Sequence, residues 1–196
     1  MAYEIVVVGA SAGGLIAVSA LLAELPADFA LPVVIAQHRA AASADGDIAV
    51  IWQRATALRV ADAEDKSAIE PGHVYIAPPD YHLLIESRDL FALSTDPPVL
   101  WARPSIDVLF ESAADVYGDA VIGVVLTGAS ADGSQGLKAI RERGGCALVQ
   151  DPQTAEVAVM PSAAIGATSV NHVLSVTDLG RIVSALGGRR SPEPAR

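Results

Sequence analysis

Residues 4–14 read Glu4-Ile5-Val6-Val7-Val8-Gly9-Ala10-Ser11-Ala12-Gly13-Gly14. Four consecutive apolar, β-branched residues show no polar alternation, so residues 5–8 predict a strand buried on both faces. Gly9 ends that run. After Gly13-Gly14, Leu15, Val18, Leu21 and Leu22 recur at helical spacing, with Pro26 beyond them. A buried strand, a Gly-rich turn and a helix form the opening unit of a doubly wound α/β fold.

The same alternation continues along the chain. Strands are predicted at 32–37, 58–61, 73–77, 121–126, 147–150 and 172–175. Helices are predicted at 13–25, 47–54, 105–117, 134–143, 162–165 and 178–186. Ser105 is read as the N-cap of its helix, and Gly144-Gly145 closes another. Residues 82–86 and 90–94 alternate and predict a hairpin across Ser87-Arg88-Asp89. It falls in the least regular stretch, 54–104, which is read as the antiparallel edge of the sheet. The expected fold is therefore α/β, a doubly wound, mostly parallel sheet with helices on both faces and an antiparallel edge hairpin. One domain is expected over 1–186, followed by a Gly-, Arg- and Pro-rich flexible tail at 187–196.

Composition narrows the function. The chain has 196 residues, is 52% hydrophobic and carries 13 Lys+Arg against 23 Asp+Glu, a formal charge of −10. That much apolar surface can bury a core and excludes disorder. An acidic chain argues against nucleic-acid partners, which need clustered Lys and Arg. The single cysteine, Cys146, cannot form an internal disulfide, and at the start of a buried strand it reads as a small hydrophobe. The N-terminus has no basic stretch ahead of its short apolar run, and no segment of about 18 residues is apolar and uncharged. A cytoplasmic protein without membrane insertion is expected. His73, His82 and His172 are scattered without metal-ligand spacing, so no metal is expected. Asp80 and His82 read as a surface loop, or else as lining the cleft, Arg103 with Asp107 as a helix-start anchor rather than a catalytic pair, and Trp52 and Trp101 as either core or cleft wall.

In an open α/β sheet, ligands bind beyond the carboxyl ends of the strands. Three such ends carry reactive side chains here: Ser11 after the first strand, His38 after the second, and Asp132 in the loop after 121–126. A hydroxyl, an imidazole and a carboxylate are the groups that acyl transfer requires. Ser11 lies in a G-x-S-x-G turn that can hold its hydroxyl proud of the sheet. The amides of Ala12 and Gly13 open a helix N-terminus and are candidates for an oxyanion hole. Other readings of each part stand beside this one. The Gly-rich turn also suits a phosphate, although Ser11 breaks the strict G-x-G-x-x-G pattern and Gln37-His38 stands where a dinucleotide site wants an acid. His38 alone reads equally as a structural histidine, and Asp132 alone as the N-cap of the helix after it.

Further segments carry a family resemblance. They are Gln37-His38, Pro71-Gly72-His73-Val74-Tyr75-Ile76-Ala77-Pro78, Arg103-Pro104-Ser105-Ile106-Asp107-Val108-Leu109-Phe110, Leu126-Thr127-Gly128, Asp132-Gly133, Gln150-Asp151-Pro152 and Met160-Pro161. Together with the Ser11 turn, and in this order, they resemble the catalytic domain of the chemotaxis protein-glutamate methylesterase family, CheB, over residues 4–186.

The resemblance implies a triad of Ser11, His38 and Asp132 and a γ-methyl glutamyl ester on the cytoplasmic helices of a chemoreceptor as substrate. It also implies deamidation of certain receptor glutamines, and neither metal nor cofactor. Rival readings are an esterase of the same mechanism acting on another ester, a silent receptor-docking module, and a phosphate-binding protein. Three positions depart from the family: Ala12 for its usual Thr, Ala129-Ser130 for Met-Gly in the loop before the Asp, and Arg39-Ala40 after the histidine. The first strand begins close to Met1, which leaves no place for the receiver domain that many members carry. The expectation is a rate unchanged by phosphodonors.

Overall fold

The computed structural model describes residues 2–39 and 48–189. Strands and helices alternate along them as β1 (Ile5–Ala10), α1 (Gly14–Ala23), β2 (Val33–Gln37), α2 (Ile48–Gln53), β3 (Arg59–Asp62), β4 (His73–Ile76), β5 (His82–Ser87), β6 (Leu90–Ser94), α3 (Ile106–Tyr117), β7 (Val121–Val125), α4 (Ser134–Glu142), β8 (Cys146–Gln150), α5 (Val159–Ala167), β9 (His172–Leu174) and α6 (Val176–Gly187). Asp47, the expected first residue of the second helix, lies outside the described residues.

Seven strands form one parallel sheet in the order β3-β4-β2-β1-β7-β8-β9. Every residue of β1, β2, β7 and β8 is buried, which is why their sequences show no polar alternation. Ile5 and Val7 of β1 enter a core with Leu109 and Phe110 of α3, Leu137 and Ile140 of α4, and Ala164 of α5. Val6, Val8 and Ala10 point to the opposite face, where Val18 and Leu22 of α1, Trp52 of α2 and Val183 of α6 cover the sheet. Side chains of alternate residues thus feed two separate cores, and the molecule has three layers.

The hairpin forms at the expected residues, and β5–β6 is a two-stranded antiparallel sheet of its own. Its apolar face packs beneath α3 rather than beside a main-sheet strand. Leu83, Ile85 and Phe91 join the α3 core, and Ile85 N donates to Ser112 Oγ on α3 at 3.0 Å. At the other end of the chain, α6 runs through Gly187, which lies against Phe29, and Arg189 pairs with Asp28. Residues 190–196 of the expected tail lie outside the described residues. Among the described residues, no helix is long and apolar enough to cross a membrane.

The topology also makes a crevice. The helix after β1 packs on one face of the sheet, and the helix after the adjacent β7 packs on the other. The chain therefore diverges beyond the carboxyl ends of β1 and β7, where an open α/β sheet binds its ligand.

Candidate active site

Ser11 is the first residue past β1. Its amide donates to Thr127 O at 3.0 Å, which ties the turn to the exit of β7. Its carbonyl accepts from Gly14 N and from Gln37 Nε2, both at 2.8 Å. Among the described residues, the hydrogen bonds of Ser11 run through its backbone alone, and the hydroxyl is uncommitted. Gly13 caps α1 at φ 77°, a left-handed conformation that glycine adopts without strain. Neither the Ala12 nor the Gly13 amide donates a hydrogen bond among the described residues. Both remain available to an anion at the positive end of α1. The Glu156 carboxylate lies against Gly13: a Cβ there would sit 2.8 Å from Glu156 Oε2.

Gln37 was notable in the sequence only for not being acidic. In the fold it is buried, and its Nε2 also donates to His38 O at 3.0 Å, so one amide bridges the ends of β1 and β2. Thr127 has a similar role across the crevice. Its hydroxyl donates to Ala12 O at 2.9 Å and accepts from Val157 N at 2.9 Å. Gly128 leaves room for Ser11, since a Cβ there would fall 2.8 Å from Ser11 Cβ and 2.7 Å from Met160 Cε.

His38 continues the β-ladder, its amide donating to Ala10 O at 2.9 Å. Its ring meets Asp132, with Nε2 and Oδ2 2.7 Å apart. Asp132 is fully buried and collects four other donors: Ser105 Oγ at 2.8 Å, Ile106 N at 2.7 Å, Asp107 N at 3.0 Å and Gly133 N at 3.1 Å. Burial pushes the carboxyl up, but the His38 hydrogen bond and the Asp107 and Ile106 amides outweigh it and hold the group below the usual carboxylate range. An ionised Asp132 places the ring proton on Nε2 and leaves Nδ1 as the basic nitrogen. The usual Ser-His-Asp triad has the aspartate on Nδ1; here the aspartate meets Nε2 instead.

Asp132 does not cap the helix that follows it. It receives the first amides of α3, while Asp107 on α3 accepts from Gly133 N at 2.9 Å and Gly136 N at 2.7 Å at the start of α4. The two helices cap each other through a buried carboxylate pair. Arg103 pairs with Asp80 at 2.6 Å, not with Asp107. His82 is buried rather than on a surface loop. Its Nδ1 accepts from Ser105 N and its Nε2 donates to Pro97 O, both at 3.2 Å, so it braces the start of α3. Trp52 is core and Trp101 is fully exposed at a cleft. Among the described residues, no three His, Cys, Asp or Glu side chains converge in a way that could hold a metal ion.

The carboxylate pair sets a pH dependence of stability. Burial, with the negative charge of Asp132, raises Asp107 to about 6 against the amides of Gly136 and Gly133. A folded-state pKa above the unfolded one means stability that is full below pH 3.8 and is lost as pH rises through about 6. Asp107→Asn keeps an acceptor for both glycine amides and removes the titration. The melting temperature of the variant relative to wild type is expected to rise between about pH 4 and pH 7, by a few degrees. Thermal melts across that range test it, and a difference independent of pH would refute the assignment.

Fold and site together define a doubly wound α/β protein with a histidine–aspartate pair beside a strand-end serine, in a chain order (Ser, His, Asp) unlike that of the α/β-hydrolases. The sequence model of the CheB methylesterase family matches residues 6–183, and the chain belongs to that family. A Leptospira interrogans relative described as a protein-glutamate methylesterase/protein-glutamine glutaminase is 51% identical over 93% of this chain and 94% of its own. Protein-glutamate methylesterase FrzG of Myxococcus xanthus is 39% identical over 91% of this chain and 53% of its own length. The crystal structure of the Thermotoga maritima CheB methylesterase catalytic domain superposes with a TM-score of 0.89 at 30% identity, covering 95% of this chain and all of that one.

Proposed function

We propose that this protein hydrolyses γ-methyl glutamyl esters of chemoreceptors, and deamidates selected receptor glutamines, through an acyl-enzyme on Ser11. The observation that carries the reading is the His38–Asp132 contact of 2.7 Å beside a serine whose hydroxyl is uncommitted. Ser11 Oγ attacks the ester carbonyl carbon while His38 Nδ1 takes its proton. The carbonyl oxygen gains the negative charge, which the Ala12 and Gly13 amides receive. The C–O bond to the methoxy group breaks, and His38 returns the proton so that methanol departs. Water then attacks the acyl-enzyme by the reverse route, releasing glutamate and restoring Ser11. For a glutamine, ammonia leaves in place of methanol. Asp132 stays ionised throughout and stabilises the imidazolium. Since the substrate helices are cytoplasmic, so is the enzyme.

Methanol release from an esterified receptor fragment tests the activity, and a fluorophosphonate that acylates activated serines tests the residue. The expected result is methanol production and a single labelled peptide carrying Ser11. Labelling at another serine, or hydrolysis of small esters without receptor demethylation, would overturn the residue or the substrate respectively.

A further inference from the structure

The exposed turn at Leu100-Trp101 carries no structural task that explains it. Val99 and Ala102 exchange two backbone hydrogen bonds, of 3.1 and 2.9 Å, and close a two-residue hairpin. Its central residues both have positive φ, 47° at Leu100 and 66° at Trp101. This turn geometry prefers Asn-Gly, because a large side chain at positive φ crowds the backbone. Here the two positions hold bulky apolar residues whose side chains gain little from the fold: Leu100 is 53% exposed and Trp101 is 100% exposed. Local strain opposes the folded state and the unburied indole contributes nothing to offset it; strain of this kind collects at functional sites.

The turn is also held in place. Arg103, next to it, donates to Asp80 Oδ1 and to the carbonyls of Thr95 and Asp96. Leu100 and Trp101 line a cleft of about 460 Å³ that His38 also lines. Arg39 and Arg103 line the same cleft, on a chain whose net charge is −10. Arg39 is underused: its Nε is buried without a hydrogen-bond partner among the described residues, and its Nη2 reaches Ala77 O only at 3.4 Å and Asp62 at 3.8 Å.

We propose that the Leu100-Trp101 turn is the docking element for the substrate segment, and that it selects the ester by what surrounds it. This rests on the methylesterase reading above. The occupant is a helix with an apolar side chain about one turn from the esterified glutamate, where i and i+4 share a face. The apolar side chain packs on Trp101 and Leu100, and an acidic side chain next to the ester meets Arg39. Trp101 thus acts in substrate recognition rather than in the chemistry.

Intrinsic fluorescence tests this directly, because Trp52 is fully buried and Trp101 fully exposed. The probe is a helical peptide with a γ-methyl glutamyl ester and a leucine four residues away, added to Ser11→Ala protein. Acrylamide access to Trp101 is expected to fall and its emission to shift to the blue. Replacing the peptide leucine by alanine is expected to weaken binding at least tenfold. A Leu100→Asn/Trp101→Gly double variant keeps the turn with the residues it prefers. It is expected to melt higher than the parent yet bind a labelled peptide at least tenfold more weakly. Peptide binding that leaves Trp101 open to quencher, unchanged affinity in the double variant, or no binding at about 1 mM peptide would overturn the proposal. Protection of Trp101 that grows with protein concentration and no peptide would assign the turn to a second copy, and overturn it too. Methanol release without Trp101 protection rejects docking and leaves the methylesterase reading standing; protection without methanol release from wild type does the reverse.

Discussion

Ser11→Ala is expected to cut methanol release from an esterified receptor fragment by roughly 10,000-fold or more, with the melting temperature almost unchanged. The two halves have separate causes. Removing the nucleophile of a Ser-His-Asp relay leaves only what the oxyanion donors and substrate positioning contribute, and such losses are of this order or larger. Stability, by contrast, does not pass through the hydroxyl. The interactions that fix Ser11 in place are its amide to Thr127 O and its carbonyl to Gly14 N and Gln37 Nε2. Alanine retains all three, so the change in folding free energy is expected within about 0.5 kcal/mol. Substrate affinity is also expected to persist, so the loss appears in kcat rather than KM. Initial rates and a thermal melt on the same preparation check both halves. A variant that keeps more than about a tenth of the activity, a loss under 1.4 kcal/mol in barrier terms, would remove Ser11 from the reaction.

The strands that position the site were legible because their burial is written locally. Residues 5–8 lie between helices on both faces, and an unbroken β-branched run records that. The 90–94 strand of the hairpin was located to the residue, yet alternation tells only that one face is buried, not against what. Its partner is α3, the next element along the chain, whose Leu109 and Phe110 share a core with Phe91. Two helices begin earlier than the sequence predicts, for local reasons. Pro161 stands just before the helix predicted at 162–165, but it is the third residue of α5, inside the first turn, where a proline costs no hydrogen bond. Ser175 ends the strand predicted at 172–175, whereas its hydroxyl accepts from Asp178 N and caps α6 two residues earlier than expected.

The candidate site divides along the same line. Ser11, His38 and Asp132 stand out in the sequence because each follows a strand, and strand ends converge in this topology. The residues that orient them were not. Gln37 serves two backbone carbonyls across adjacent strands, and nothing in a lone buried glutamine announces that. Asp107 stands in the first turn of α3, where an acid is expected on general grounds. Its carboxylate in fact serves the amides of Gly133 and Gly136, 26 and 29 residues away. Long-range pairing of this kind leaves no periodic trace in a single sequence.

Asp132→Ala is expected to cost both activity and fold, unlike Ser11→Ala. An aspartate that merely oriented a histidine could be removed with modest effect on stability. This one accepts from Ser105 Oγ, from the Ile106, Asp107 and Gly133 amides and from His38, all at an atom-tight buried position. Alanine leaves those donors without an acceptor, at about 1–3 kcal/mol for each one that stays unsatisfied. A net loss of roughly 3–5 kcal/mol is a large share of a domain's stability of about 5–15 kcal/mol. Asp132→Asn separates the contributions. Whichever way its amide is turned, one NH2 must face an N–H donor: Ile106 N and His38 at Oδ2, or Asp107 N and Gly133 N at Oδ1. Some destabilisation therefore persists, with a drop in activity of about 10,000-fold because the ring proton loses its anchor on Nε2. The pH profile supplies the sign. Asp132 is held below its usual range, so its contribution is present above pH 3.8 and is lost as pH falls through the lowered value. Asn removes that acid-side loss. It also relieves the charge that helps burial keep Asp107 high, so the Asp107 titration is expected to move down from about 6. Denaturant unfolding of wild type, Asp132→Asn and Asp132→Ala from pH 3 to 8 would show the ordering; an alanine variant as stable as wild type at pH 7 would mean that the buried carboxylate does not hold α3 to α4.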